Sequence, residues 1–282
     1  MLADLIHVRT CDGVRLDGSL FIPECCQQKS SDDEPAVWLL IHGTGSNFYA
    51  GGVLQAFCEE LVQAKFAVAR VNTRGHDVIS GQFGGAAFET ISDCVHDIRA
   101  WIEQLTVRGF RRIFLAGHSM GAVKVLFSQA HDPQPLIAGV MGISPPRFCH
   151  AEWLDSKLAA PFREHFRLAT ELVAAGRGDE LIRVQQPLPL WLTASGFLAK
   201  YGPHDDYDFI RLLPRLNCPT LIVVGSESVA SSPAFSSVPA AVIEQQQSQA
   251  NLQLRLVAGA DTGYSKHQDE PARIALEWAV SK

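Results

Sequence analysis

The sequence of 282 residues predicts an α/β fold, with a mostly parallel central sheet and helices on both faces. Four apolar runs are continuous rather than alternating, as in strands that are buried on both faces. Segments with helical spacing lie between these runs, and strand, helix and strand in series favour right-handed crossovers and a parallel sheet. The runs are AVWLLI (36–41), FAVARV (66–71), RIFLAG (112–117) and LIAGVMGI (136–143).

The composition excludes several classes of protein. A net charge of -6, with 47% hydrophobic and 19% charged residues, is typical of a globular chain and not of a disordered or collagen-like one. Without a long basic run, a small-molecule substrate is a better expectation than nucleic acid. We expect no membrane span and no signal peptide, and therefore a cytoplasmic protein. The seven cysteines lack metal-site spacing, which predicts reduced thiols and no bound metal.

The remaining elements follow in order along the chain. Residues 4–22 predict two strands, LIHVRT and VRLDGSLFI, joined through Asp12-Gly13, because Asp-Gly is a hairpin signal. A polar stretch (27–35) then precedes the first buried run. The predicted helices between the runs are 53–64, 93–105 and 121–130, and the chain closes with strands at 220–225 and 252–259 and a helix at 269–280.

Residues 145–214 interrupt this series. They contain helix-like pieces but no buried strand, so they predict a helical lid inserted into a core formed by 1–144 and 215–282. Aromatic residues are abundant in this insertion, and most are expected to pack within the lid or against the core while a few face a ligand. They are Trp153, Phe162, Phe166, Trp191, Phe197, Tyr201 and Phe209.

The strongest local signal is the segment Gly117-His118-Ser119-Met120-Gly121. It directly follows a buried strand and directly precedes a helix, which is the context of a nucleophile elbow. The turn holds the serine in a strained conformation, and its two glycines avoid collisions with neighbouring segments. Ser119 is therefore the candidate nucleophile, at a helix N-terminus that favours developing negative charge. The side chain of His118 is expected to point away from it.

A second signal, His42-Gly43-Thr44-Gly45, follows the 36–41 strand. A tetrahedral oxyanion needs two N–H donors, and the candidates are the backbone groups of Thr44 and Met120. His42 is expected to fix this loop rather than to take part in the chemistry.

Several features follow one another along the chain: the opening hairpin, HGTG, RVNTRGHD (70–77), GHSMG, the insertion and the last two strands. In this combination the chain resembles the α/β-hydrolase superfamily over nearly its full length. The resemblance implies an α/β-hydrolase fold, an esterase- or lipase-like activity, and a triad in the order serine, acid, histidine. Residues 74–94 also resemble uncharacterised esterase-like members, which indicates no particular substrate.

Two triad positions depart from the family pattern. The acid is expected three residues after Gly225, where Ser228 stands, and Glu227 lies one residue early. The histidine of the Gly-x-Asp-His pattern is replaced by Thr262. A threonine hydroxyl does not accept a proton at neutral pH, so the general base is missing from its expected place.

Glu227 and His267 are the candidate replacements for the acid and the base. His267 lies five residues after Thr262, and an extended segment of that length spans up to about 17 Å, so the loop would have to fold back. Further candidate pocket residues are His42, His76, Arg147, His150, Ser228 and Thr262. The structural alternative is a hydrogen bond for His76, a salt bridge or solvent exposure for Arg147, and solvent exposure for His150.

Three functions remain open. The first is an esterase or thioesterase that uses Ser119, Glu227 and His267. The second is a non-hydrolytic cyclase, lyase or acyl transferase that uses the oxyanion donors in a pocket that excludes water. The third is a small-molecule-binding protein without catalysis. None of them implies a metal or an organic cofactor, and the oligomeric state is not indicated.

Overall fold

The main sheet has eight strands, and a computed structural model describes it within residues 2–23, 35–81, 84–185 and 189–280. Its strands are β1 (Asp4–Arg9), β2 (Arg15–Phe21), β3 (Ala36–Ile41), β4 (Ala67–Val71), β5 (Arg112–His118), β6 (Ile137–Ile143), β9 (Thr220–Gly225) and β10 (Leu252–Val257). Two further described strands, β7 (Leu181–Val184) and β8 (Leu190–Thr193), form a separate sheet. The order across the main sheet is β1-β2-β4-β3-β5-β6-β9-β10. Strand β2 is antiparallel to both of its neighbours, and all other neighbouring pairs in this sheet are parallel. The predicted fold class and opening hairpin are confirmed.

Helices cover both faces of this sheet. They are α1 (Val53–Gln63), α2 (Asp93–Val107), α3 (Met120–His131), α4 (His150–Asp155), α5 (Ala159–Ala174), α6 (Ala194–Tyr201), α7 (Ser226–Ser231), α8 (Val238–Gln246) and α9 (Glu270–Val280), with a 3-10 helix at Phe209–Arg215. None of the described helices is long and apolar enough to cross a bilayer.

The two faces of the sheet form two separate hydrophobic cores. Along β3, Val37 and Leu39 pack into the core that contains α2 and α3. Trp38 and Leu40 pack into the other core, beside α1 and α9. Successive side chains of a strand point to opposite faces, so a strand with helices on both sides needs a continuous apolar run. The continuous apolar runs in the sequence therefore predict the buried strands.

The insertion between β6 and β9 differs from its prediction in one respect. It contains an antiparallel pair of strands, β7 and β8, so the expectation of no buried strand there was wrong. The helix-like segment WLTASGFLAKY (191–201) is helical only in its second part, which is α6. Thr193 ends β8 and caps α6, because its hydroxyl accepts a hydrogen bond from the Gly196 N–H at 3.0 Å.

Most of the aromatic side chains in the insertion are buried. Trp153, Phe162, Phe197, Tyr201 and Phe209 lie in the core that also contains α2 and α3, whereas Trp191 is exposed and Phe166 is half-buried. The prediction that most of these rings pack internally agrees with this arrangement. Cys25, Cys26 and residues 27–34 of the polar stretch lie outside the described residues.

Candidate active site

Ser119 occupies the sharp turn between β5 and α3. Its φ of 55° and ψ of -123° place a non-glycine residue in a strained backbone region. A Cβ atom at Gly117 would lie 2.2 Å from the Gly121 carbonyl oxygen, and one at Gly121 would lie 2.3 Å from the Ile41 oxygen. Both positions therefore require glycine, as the motif indicates. The Ser119 hydroxyl has no hydrogen-bond partner within the described ranges.

The loop after β3 passes directly against the serine. A Cβ atom at Gly43 would lie 3.2 Å from the Ser119 Cβ atom, so a side chain there would crowd the nucleophile. Among the residues that the structure describes, no acceptor binds the N–H of Thr44 or that of Met120. Met120 is the first residue of α3, so its N–H has no intrahelical acceptor. Its side chain is buried in the core.

His42 lies beneath this loop and does not line the space in front of Ser119. The side chain is 1% exposed, and its Nε2 accepts a hydrogen bond from the Thr73 N–H at 3.1 Å. Because Nε2 is an acceptor, Nδ1 carries the proton and donates to the Gly43 carbonyl at 2.8 Å. Burial, and then the nearby Lys124, lower the pKa of His42 to about 3, so the ring is neutral at physiological pH.

A cavity of about 260 Å³ opens in front of Ser119. Its lining includes Thr44 on the loop after β3 and Arg70 on β4, and no residue from the insertion contributes to it among the described residues. The lining residues are Gly43, Thr44, Ser46, Asn47, Ala50, Gly51, Gly52, Val53, Leu54, Arg70, His118, Ser119 and Gly263.

The positions expected for the acid and the histidine come together in the structure. The Ser228 Oγ atom lies 2.8 Å from the Thr262 Oγ1 atom, and Ser228 is 3% exposed. Helix α7 after β9 and the loop after β10 therefore meet at this point, and the side chains that meet are two hydroxyls. Neither hydroxyl is a general base at neutral pH.

His118 points toward the same loop. Its Nε2 donates a hydrogen bond to the Thr262 carbonyl at 2.8 Å, and burial lowers the pKa of this histidine. It lines the cavity beside Ser119, although no hydrogen bond joins the two side chains in the described structure.

The structure does not bring Glu227 or His267 to the cavity. Glu227 lies in the first turn of α7, and its exposed carboxylate has no hydrogen-bond partner in the described part of the chain. The His267 Nε2 atom lies 3.5 Å from the position that a Cβ atom at Gly259 would take. The His267 N–H donates to the Tyr264 carbonyl at 2.8 Å, in the turn that leads to α9.

The sequence profile described as serine aminopeptidase, S33 matches residues 32–182, which is more than half of the chain. The chain belongs to this family of α/β-hydrolases. No curated protein matches the sequence significantly.

Solved structures resemble this hydrolase over nearly the whole chain. Est1E from Butyrivibrio proteoclasticus with bound ferulic acid is 19% identical, with 98% of this chain and 100% of that chain covered and a TM-score of 0.68. A soluble variant of the monoglyceride lipase from Saccharomyces cerevisiae is 16% identical, with 100% and 95% covered and a TM-score of 0.68. A dienelactone hydrolase from Anabaena variabilis is 16% identical, with 99% and 97% covered and a TM-score of 0.60. At these identities the likeness shows the fold.

Two of the candidate pocket residues make their contacts within the insertion. Arg147 forms ion pairs with Asp208 at 3.2 Å and with Glu152 at 2.5 Å, so its guanidinium is occupied, as the salt-bridge alternative expected. His150 donates from Nδ1 to the Tyr201 carbonyl at 2.8 Å. Neither residue lines the cavity at Ser119.

His76 faces a different cavity, of about 560 Å³, which is also lined by Arg74 and Glu89. Its Nδ1 lies 2.9 Å from an Asp77 carboxylate oxygen. Asp77 in turn accepts a hydrogen bond from Asn47 at 2.8 Å. These contacts agree with the structural hydrogen bonding expected for this histidine.

Sequence reasoning missed two buried lysines. Lys124 on α3 is 1% exposed, and its Nζ donates to Glu89 at 2.7 Å and to the Thr73 hydroxyl at 2.9 Å. Lys200 on α6 lies over the Phe148 ring at 4.9 Å, and burial lowers its pKa to about 8. The signal for Lys124 was its place in the otherwise apolar segment GAVKVLF, since a lysine inside a buried helix needs a partner.

Arg70 was also missed. It is 9% exposed and lines the cavity that contains Ser119. The run FAVARV predicts a fully buried strand, and a charged residue within such a strand is the signal that was available.

Proposed function

We propose that this hydrolase acts on the carbonyl group of a small ester, thioester or lactone through Ser119. The observation that carries the proposal is the strained backbone of Ser119 beside two N–H groups that have no protein acceptor in the described structure. A conformation of this kind costs about 1–3 kcal/mol and persists where the surrounding structure, or a function, maintains it. The solved structures of similar fold include an esterase, a lipase and a lactone hydrolase by their names.

In the proposed reaction, the Ser119 oxygen attacks the carbonyl carbon and the carbonyl oxygen becomes an oxyanion. The N–H groups of Thr44 and Met120 donate to that oxyanion, and the N-terminus of α3 adds a favourable dipole. The neutral His42 supports this arrangement because it fixes the Gly43 carbonyl and so orients the loop that carries Thr44. The leaving group departs with the proton of the serine, and water then releases the acyl group.

This mechanism also needs a group that accepts the proton of Ser119. Ser228 and Thr262 fill the family's acid and base positions with hydroxyls, so slow hydrolysis is expected. Glu227 and His267 remain the proposed acid and base, and they require α7 and the segment between β10 and α9 to move toward Ser119. The same hydroxyl pair favours a second candidate function, in which the cavity carries out a non-hydrolytic acyl transfer, cyclisation or elimination.

Covalent labelling by a fluorophosphonate probe, followed by intact mass, tests the role of Ser119. We expect one adduct in the wild type, none in Ser119→Ala, and one in the matched control Ser46→Ala, which removes another hydroxyl from the same cavity. A folded wild-type protein that takes up no probe would contradict the proposal of an activated serine.

The rates of labelling in Glu227→Ala and His267→Ala test the acid and the base. A general base contributes about 100-fold or more to such a step, so a loss of that size in either variant would establish its role. Labelling at the wild-type rate would remove the residue from the mechanism. Incorporation of oxygen from ¹⁸O-labelled water into the product separates hydrolysis from the non-hydrolytic alternative.

A further inference from the structure

Arg70 is a buried cation that forms no ion pair in the described structure, although the charge of the nearby Glu59 acts to raise its pKa. Its side chain extends from β4 on the face that carries α1, and it is 9% exposed. One N–H of its guanidinium donates to the Ala50 carbonyl at 2.5 Å, and no carboxylate of the described residues lies within ion-pair distance. By contrast, Arg74 pairs with Asp97 at 2.8 Å and Arg147 pairs with Asp208 at 3.2 Å.

An unpaired buried charge is costly, and burial lowers the pKa of Arg70. A guanidinium carries five N–H donors in a planar fork that fits a carboxylate. Only one of the donors of Arg70 has a protein acceptor within the described ranges. The others are available to a ligand or to water, in this cavity or in a second one that Arg70 lines together with Glu59.

The start of α1 adds a second positive feature to the same cavity. Gly52 caps the helix with a φ of 88° and provides no side-chain hydrogen bond. Val53 and Leu54 follow and line the cavity, and the first N–H groups of a helix have no intrahelical acceptor. A helix N-terminus beside an unpaired arginine favours an anion.

These groups line the same cavity as the candidate nucleophile. Arg70, the first turn of α1 and Ser119 all line one volume of about 260 Å³, and no aspartate or glutamate lies among its lining residues. A volume of this size lies below the usual range for drug-sized ligands, about 300–1,000 Å³, so the occupant is small.

We propose that Arg70 and the first turn of α1 bind a carboxylate of the substrate, so that the substrate is a small ester, thioester or lactone that carries a carboxylate. The reaction in this inference rests on the proposed function of Ser119. The binding of the anion does not depend on that function. The carboxylate supplies the counter-ion that Arg70 lacks and orients the carbonyl toward Ser119.

The first test measures binding without chemistry. In the Ser119→Ala variant, sodium glutarate is expected to raise the melting temperature, whereas dimethyl glutarate at equal ionic strength leaves it unchanged. Arg70→Met is expected to abolish the glutarate effect. The matched control Arg255→Met removes an exposed arginine from β10 and retains the effect. An equal glutarate effect in Arg70→Met would overturn the proposal, as would a larger stabilisation by inorganic phosphate.

Because Arg70→Met removes a buried side chain, its fold is checked by circular dichroism. If it does not fold, Arg70→Lys keeps the charge but loses the planar fork, and it is expected to weaken glutarate binding about 10-fold. Unchanged affinity in a folded Arg70→Lys would then count against the carboxylate site.

The second test uses two esters of similar shape, mono-4-nitrophenyl glutarate and 4-nitrophenyl valerate. Arg70→Met is expected to lower kcat/KM for the glutarate ester about 100-fold and to leave the valerate ester nearly unchanged. Equal effects on both esters would refute the carboxylate site while leaving the Ser119 chemistry intact. Glutarate binding that depends on Arg70, without turnover of either ester, would instead refute the chemistry and leave the site intact.

Discussion

At the scale of the residue, the chemistry depends on side chains at the ends of neighbouring strands. Ser228 and Thr262 illustrate this, because their hydroxyls meet 2.8 Å apart where the family has an acid and a histidine. In the proposed mechanism, these two hydroxyls stand where a general base and its acidic partner are required. This makes the missing base a property that substitution can reverse.

The double variant Ser228→Asp with Thr262→His is expected to raise kcat/KM for a 4-nitrophenyl ester at least about 100-fold, because it installs a general base and a partner for it. Thr262→His alone is expected to gain less, since no acid orients the imidazole. Addition of Ser119→Ala to the double variant is expected to remove the gain. Without an increase in a folded double variant, Ser119 would not be accessible to such a base.

His42 predicts a pH dependence of stability. Its pKa is about 3 in the folded protein and 6.5 in the unfolded chain, so between these values the unfolded state binds a proton that the folded state does not. The free energy of unfolding therefore falls as the pH falls, by up to about 1.4 kcal/mol per pH unit from this group. Urea unfolding from about pH 7.5 to about pH 4.5 is expected to show a steeper fall in the wild type than in His42→Gln. Parallel curves would mean that His42 is protonated in the folded state.

At the scale of the element, the sequence predicts those helices and strands whose pattern of apolar residues lies within one segment. Continuous apolar runs and the glycines around Ser119 depend on local backbone requirements, and the strands of the main sheet lie where they were expected. Strand β8 was not predicted because it has only four residues and α6 begins directly after it. Periodicity does not distinguish so short a strand from the helix that follows. The contacts of Arg70 and Lys124 depend on which elements pack together, so the sequence indicates an unusual charge but not its partner.

The insertion contains a buried ion pair between Arg147 and Asp208, and its contribution to stability can be measured. Arg147→Met leaves the buried Asp208 without its counter-charge and is expected to lower the free energy of unfolding by about 3 kcal/mol in a urea titration. The addition of Asp208→Asn is expected to restore part of that loss. As a control, Arg167→Met breaks an exposed pair with Glu171 and is expected to cost less than about 0.5 kcal/mol. Equal losses in Arg147→Met and Arg167→Met would show that the first pair contributes no more than a surface pair.

At the scale of the whole molecule, the insertion shares its hydrophobic core with the body. Phe148, Trp153 and Phe197 belong to the same contiguous cluster as Leu39 and Val123, so the apolar faces of the insertion are buried by the body and by each other. The Thr193 N–H also donates to the Ala87 carbonyl at 3.1 Å, which joins the end of β8 to the loop after β4. An insertion with a core of its own would not need these contacts.

This shared core predicts that the insertion and the body unfold in one cooperative transition. Separation of the insertion would expose the apolar surface of both parts, so a state with only one part folded is unfavourable. Hydrogen exchange measured along a urea titration is expected to show residues 150–174 and residues 112–143 losing protection at the same urea midpoint, and tryptophan fluorescence and far-UV circular dichroism are expected to share that midpoint. The control is the Ser119→Ala variant, which leaves the core untouched and is expected to behave in the same way. Loss of protection in residues 150–174 at a lower urea concentration would show instead that the insertion opens independently, and access to Ser119 would then have to be analysed in that open state.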